Sequence, residues 1–177
     1  MVCRWLLDGT RVAQLAVDNQ IGLSTAYRYL HEGINVLAAA VPSLTNVLLA
    51  AKIAGHTHLN LDGTVIRTDR VSTPGPTTGV DLWWSGKHKH HGGNIQVLTA
   101  PDGFPLWVSP VRPGRQHDTS AARSHAGLLD HLAAWASDGR KVLADLGYLG
   151  EAHRLTVPTP TPKGRALPHL CGPTAAS

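Results

Sequence analysis

The sequence predicts a mixed α/β (α+β) fold, a mixed sheet with helices preceded by an all-helical segment, and three observations carry that expectation. Residues 1–40 have helical apolar spacing and no Gly-Pro cluster. Residues 59–150 alternate strand-like runs with a helix-like run. Within that block the order is strand, hairpin, helix, strand, which suits a crossover returning to the same sheet. The expected boundaries are 1–40 for the helical segment, 41–58 for a connector, 59–164 for the sheet domain and 165–177 for an unstructured tail. A chain of 177 residues is long enough for one domain with a real core plus a small appendage.

The elements follow in order. TRVAQLAVDNQ places Val12, Leu15 and Ala16 on one helical face, with Thr10 as the expected N-cap. Asn19, Gln20 and Gly22 interrupt it, and Ser24 is expected to cap a second helix, STAYRYLHEGINVLAAA. Helix, short glycine-containing turn and helix have the form of a helix-turn-helix, with Ile21 and Leu23 packing between the helices. Thr25, Tyr27 and Arg28 then lie near the start of the helix that would enter a major groove. An ordinary helical hairpin has the same pattern, and the three basic and three acidic residues of this segment give it no electrostatic footprint. VLLAAKIA (47–54) reads as a short helix inside the connector.

LNLDGTVIRT (59–68) reads as a strand ending in a turn, with Asp62 near the break. GGNIQVLTA and FPLWVSP are strands joined by the turn PDG, a hairpin. RPGRQHD (112–118) is a loop. Asp118 or Thr119 is expected to cap one helix, TSAARSHAGLLDHLAAWA, burying Leu128, Leu129, Leu132 and Trp135. KVLA (141–144) is a short strand delivering Asp145, and GYLG is a turn. From Thr156 onward Pro, Gly, Ala and Thr dominate and periodicity is lost, so that stretch is expected to lack order.

Sixteen Lys and Arg against twelve Asp and Glu give a formal net charge of +4, which favours an anionic partner without specifying one. Two cysteines near opposite ends, Cys3 and Cys171, suggest no disulfide framework. No apolar run has the length of a membrane span and the first residues lack a signal-peptide core, so a cytoplasmic, nucleoid-associated protein without a membrane partner is expected.

Two carboxylates are the chemical candidates. Asp62 and Asp145 each stand at an expected strand end, and if those strands are neighbours both project from one sheet edge. Hard carboxylates converging there suit Mg²⁺, which two-metal sites use to activate one oxygen and stabilise another in phosphodiester chemistry. The competing reading is that both are turn-forming aspartates beside glycine. Near them SGKHKHHGG (85–93), following Trp83 and Trp84, supplies Lys87, His88 and Lys89 for phosphates. A solvated loop explains the same run, and a zinc site is disfavoured because His88, His90 and His91 lack the spacing of separated ligand pairs. Arg112, Arg115 and His117 adjoin Asp118.

HLNLDGTVIRTDRV, WWSGKHKHHGGNIQVLTAPDGFPLWVSPVRPGRQHDTSAAR, VLADLGYLG and PTPKG (160–164) together resemble the catalytic domain of DDE transposases, closest to the bacterial insertion-sequence and Harbinger-like group. LLDGTRVAQLAVDNQIGLSTAYRYLHEGI is similar to the helix-turn-helix preceding that domain in actinobacterial members. The resemblance spans roughly residues 4–165 and rests on the succession of motifs, each weak alone. It implies a ribonuclease-H-like fold with Asp62 as the first catalytic carboxylate and Asp145 as the second. Asp118 is another matching position that some alignments would put in the catalytic role. It further implies Mg²⁺ or Mn²⁺, water attack at a transposon end, and attack of the freed 3′-hydroxyl on target DNA. A homodimer is among the assemblies it allows.

The family's third acidic residue is a glutamate on a helix well after the PTPKG stretch. No Asp or Glu follows Glu151 here, and RALPHLCGPTAAS (165–177) does not resemble the family. Glu151 lies too close to Asp145, in or after a turn, to replace it. The expectation is a C-terminally truncated transposase, with part of the helical bundle at the start also missing, inactive in strand transfer. Its rivals are a DNA-binding protein without catalysis and a histidine-rich metal-binding domain.

Overall fold

The structure, a computed structural model, describes residues 1–160. The expected PTPKG stretch past Pro160 and the tail 165–177 lie outside the described residues. The chain forms two compact units, Met1–Ser43 and the remainder from Leu44.

The first unit holds three helices, α1 (Val2–Asp8), α2 (Val12–Asp18) and α3 (Leu23–Ala39). Leu15 and Ala16 of α2 are buried with Ala26 and Leu30 of α3, as the apolar spacing requires. The turn between them passes through Gln20 at φ 53, a left-handed conformation that bends the chain sharply. The capping differs from expectation. The Thr10 amide and hydroxyl both donate to the Asp8 carboxylate, so Thr10 closes the end of α1 and Arg11 stands at the cap position of α2. Gly22 stands at the cap position of α3, which starts before Ser24. That earlier start turns Leu23 outward, half exposed, and leaves only Ile21 of the expected pair partly covered. Helix α1 meets α3 at Gly33, where a Cβ would overlap Val2.

The second unit is a mixed α/β layer. Its elements are α4 (Leu44–Ile53), β1 (His58–Arg67), β2 (Trp84–Ser85), β3 (His90–Thr99), β4 (Pro105–Val108), β5 (Arg112–Pro113), α5 (Asp118–Arg123), α6 (Leu128–Ala136), β6 (Lys141–Ala144) and a 3-10 helix, Leu146–Glu151. The sheet is six-stranded with order β2-β3-β1-β6. Strand β3 is its spine. Along one edge it pairs antiparallel with β1, from Thr99 opposite Asn60 to Gly92 opposite Arg67. Its other edge is met by β4, β5 and β2. Strand β6 adds to β1 in parallel, with Leu59 opposite Val142 and Leu61 opposite Ala144.

One face of this sheet carries the core. Leu59, Leu61 and Leu98 pack against Val47 and Leu48 of α4 and against Leu128, Leu129, Leu132 and Trp135 of α6. The Trp135 Nε1–H donates to the Leu48 carbonyl at 3.0 Å, tying the two helices. Among the described residues no single helix is long and apolar enough to cross a membrane.

Three expectations need correction. The single helix from residue 119 is two helices, because Gly127 takes φ 74 and breaks the path. His117, not Asp118 or Thr119, stands at the cap position of α5. The stretch 85–93 is not one loop: Ser85 belongs to β2 and His90 to Gly93 to β3, with a tight turn between that puts Lys89 at φ 58.

Leu132 is fully buried and Leu149 half exposed, which separates core packing from surface. Leu132→Ala is expected to lower unfolding free energy by about 2–5 kcal/mol through lost transfer energy and the cavity left behind. Leu149→Ala should change it by less than about 0.5 kcal/mol. Urea titrations of both variants check the contrast.

Candidate active site

Asp62 is not at a strand end. Strand β1 runs on through it to Arg67, because β3 pairs with it continuously from Asn60 to Arg67. What ends at this level is the contact between β1 and β6. Leu61 and Ala144 form the last parallel pair, so Asp62 and Asp145 both occupy the next step, on strands that lie about 4.8 Å apart in a sheet. Alternation puts Asp62 on the face opposite Leu61, toward solvent. Asp145 is the first residue off β6 and caps the 3-10 helix: its Oδ1 accepts from the Gly147 amide at 2.8 Å. The reading of these aspartates as turn formers therefore holds for the local bonding of Asp145. It fails for Asp62, whose neighbouring Gly63 is mid-strand.

Gly63 is glycine for another reason. A Cβ there would overlap the Asp118 side chain, which packs directly on the strand. Asp118 is the first residue of α5 and its carboxylate is largely covered. A buried polar chain leads to it. The Tyr148 hydroxyl donates to Gln96 Oε1 at 2.6 Å, the Gln96 amide to Asn94 Oδ1 at 2.9 Å, and the Asn94 amide to Asp118 Oδ1 at 2.8 Å. Tyr148, Gln96 and Asn94 are each at most 1% exposed. Lys87 Nζ lies 3.7 Å from Asp118 Oδ2. The Thr119 hydroxyl also donates to the Gly147 carbonyl, so the start of α5 and the turn after Asp145 are joined twice.

Electrostatics follow from this crowding. Burial pushes the Asp62 carboxyl above its usual range, a backbone hydrogen bond at Gly63 opposes that, and the charges of Asp145 and Asp118 push it further, with Lys87 opposing. Burial likewise raises the Tyr148 hydroxyl, reinforced by Asp118, Asp62 and Asp145, so it remains a donor. The Asp62 carboxyl thus senses both Asp145 and Asp118. Yet among the described residues no group of three or more His, Cys, Asp or Glu is close enough to hold a metal ion together.

The basic residues divide. Lys87, His88 and Arg115 line a cleft of about 530 Å³ together with Trp84, Asn94, His117 and Asp118. Lys89 is exposed at the turn and does not line it. Arg112 is turned away, donating to the Ser124 carbonyl at 2.6 Å. His91 bonds Asp81 at 3.0 Å and His90 the His91 carbonyl at 2.9 Å, and among the described residues no group of three or more possible ligands would hold zinc. Thr25, Tyr27 and Arg28 belong to α3 of the first unit, where Arg28 stacks at 5.3 Å on Tyr29. Glu151 is buried and bound by Arg123 at 2.6 Å and by Arg154 at 3.5 Å, which commits it to structure.

Sequence reasoning missed Asn94, Gln96 and Tyr148. A signal existed: in NIQVL the amides occupy alternate positions in register with Leu98, on the face that strand periodicity assigns to the core. Two amides there need partners, and their partners lie far away in sequence.

Against known proteins, residues 61–170, more than half of the chain, match the DDE superfamily endonuclease family. No curated protein and no solved structure matches it. The matched segment contains Asp62, the Asn94–Gln96–Tyr148 chain, Asp118 and Asp145, and on this match the chain belongs to the DDE superfamily endonucleases.

Proposed function

We propose that this protein is a transposase-type nuclease of insertion-sequence origin, in which Asp62 and Asp145 hold a divalent cation against DNA at a transposon end. The observation that carries this is their placement at the same step of two neighbouring parallel strands, just where the pairing stops. The donor set fits a hard cation: two carboxylates, one of them destabilised in its charged form by burial and by two like charges. Mg²⁺ or Mn²⁺ supplies activation of the attacking oxygen and stabilisation of the leaving one in this chemistry. The chain's own residues bind and orient. Lys87 and Arg115 offer positive charge along the cleft for phosphates and His88 lines it beside them, with Lys89 and Arg112 outside it. The Gly147 backbone amide fixes Asp145 by donating to its carboxylate.

In the first unit, α2, its turn and α3 support a helix-turn-helix reading, with Thr25, Tyr27 and Arg28 near the leading end of α3. The DNA ends would be read there. Cytoplasmic, nucleoid-associated residence and a homodimer go with this reading.

A second reading, DNA and metal binding without strand transfer, is favoured by the fate of the other carboxylates. Glu151 is committed to Arg123, and Asp118 accepts from Asn94. Two carboxylates anchor one ion more easily than two. Supercoiled DNA carrying matching transposon ends, with Mg²⁺ or Mn²⁺, is therefore expected to be bound by this chain but not joined. Nicking or joining that disappears in Asp62→Ala would overturn the inactive reading and favour a complete site.

Metal and protons should compete at Asp62. Because its folded carboxyl is raised, its ionisation costs the folded state stability as pH rises through the folded value, and a bound cation relieves that cost. Mn²⁺ is thus expected to raise the melting temperature near neutral pH, with an effect that fades on acidification above the ordinary aspartate range. In Asp62→Asn the Mn²⁺-induced shift should vanish. An unchanged shift in that variant would remove Asp62 from the metal site.

DNA affinity should fall steeply with salt as counterions are released. Lys87→Ala is expected to weaken all sequences alike and to flatten the salt slope by about one, whereas Arg28→Ala should cost about 1–3 kcal/mol on preferred ends only. Anisotropy titrations on cognate and unrelated duplexes separate the two.

A further inference from the structure

The cleft beside the carboxylates has a mixed lining that neither the nuclease chemistry nor phosphate binding explains. We infer that it holds one unpaired DNA base, gripped on its faces by Trp84 and His88 and read at its amino edge by Asp118. This rests on the proposal that DNA is the substrate.

Size comes first. At about 530 Å³ the cleft is on the scale of small-ligand pockets, roughly 300–1,000 Å³. One base with its sugar is the piece of DNA that enters such a space. Chemistry narrows the occupant. Val65, Trp84 and the His88 ring give flat and apolar walls, which suit stacking. Lys87 and Arg115 give positive charge for a phosphate. Asp118 adds a negative charge to the same lining, which repels a bare phosphate. A ligand that is flat and apolar on its faces, anionic at one end and a hydrogen-bond donor at the other satisfies all three, and an extruded nucleotide has that form.

Asp118 is built for such reading. Its Oδ1 takes the Asn94 amide at 2.8 Å, while its Oδ2, among the described residues, has Lys87 at 3.7 Å. Every donor in the chain from Tyr148 points the same way, toward Asp118, so the carboxylate is fixed as an acceptor. Gly63 lets it sit against the strand. A carboxylate accepts from the exocyclic amines of guanine, adenine or cytosine, and thymine has none. The cost of extruding a base is lowest when it is already unpaired, which supplies the test.

The full chain, in the presence of a chelator, is titrated against duplexes that are identical except for one extra unpaired base. Duplexes with unpaired guanine, adenine or cytosine should bind about tenfold tighter than the fully paired one, and thymine should gain less. Asp118→Asn keeps the acceptor for Asn94 and removes the charge. It should erase the discrimination against thymine while retaining the Mn²⁺-induced melting shift. His88→Ala, an exposed change, should lose the preference for unpaired bases altogether. Equal binding of paired and bulged DNA overturns the inference, as does amine preference persisting in Asp118→Asn. Loss of the Mn²⁺ shift in Asp118→Asn, as in Asp62→Asn, also overturns it by making Asp118 a metal ligand. Failure to bind any of the duplexes would instead strike the DNA reading of the whole protein.

Discussion

The parallel pairing of β1 with β6 is the constraint on which the rest of the second unit depends. Only four residue pairs make it, from His58 opposite Lys141 to Leu61 opposite Ala144. Parallel neighbours cannot be joined by a tight turn, so the chain between them must leave the sheet and return. It does so through the hairpin, α5 and α6, and that excursion delivers most other groups of the site, while Gly147 and Tyr148 follow β6. The hairpin brings Asn94 and Gln96. The loop after β5 brings Arg115, and α5 starts with Asp118. A one-residue slip in this pairing would turn Asp145 to the other face and bury it among leucines. The apolar residues on both strands, Leu59 and Leu61 against Val142, hold the register because only one arrangement buries them together.

The buried amides are a second consequence of the same geometry. Asn94 and Gln96 face the layer that Leu98 packs, where an unpaired amide would cost about 1–3 kcal/mol. Their bonding leaves neither without a partner: each donates to the next and the last donates to a carboxylate. Such a chain specifies one arrangement, because reversing any amide would set two donors or two acceptors face to face. Its two ends are Tyr148, three residues past Asp145, and Asp118, on the helix that opens the return path. It therefore fixes the spacing between two elements that the backbone joins only through a long excursion.

Much of this was legible in the sequence, and what was not follows a physical pattern. The alternation in LNLDGTVIR and NIQVLT, the turn PDG and the apolar face from Leu128 to Trp135 are local signals, and the strands and α6 formed where they indicated. The order of elements left open whether the strands of Asp62 and Asp145 are neighbours, and β1 and β6 do pair, in parallel. Caps were misplaced at Thr10, Ser24 and Asp118, because a cap depends on where the helix starts to within one residue. The break at Gly127 was hidden by apolar spacing that continues across it. Gly63 was misread as half of a turn. Its real cause, the approach of Asp118 from fifty-odd positions along the chain, has no local trace in the sequence.

The electrostatic balance of the site explains why its carboxylates divide in role despite their proximity. Three carboxylates around one short strand segment repel, and Lys87 alone is placed to offset two of them. Their environments differ. Asp62 is on the solvent face, with the Gly63 amide as its local donor, and its charged form is the costly one. Asp145 has one oxygen tied to the Gly147 amide and the other outside that bond. Asp118 lies across the strand against Gly63, supplied with a side-chain donor and a nearby ammonium. A cation bridging Asp62 and Asp145 relieves the repulsion between them, and it does not require Asp118, whose charge is already answered within the protein. That separation frees Asp118 to face the cleft. The same strand thus presents a cation-seeking pair at its edge and a fixed acceptor on its other face, with a single glycine as the spacer.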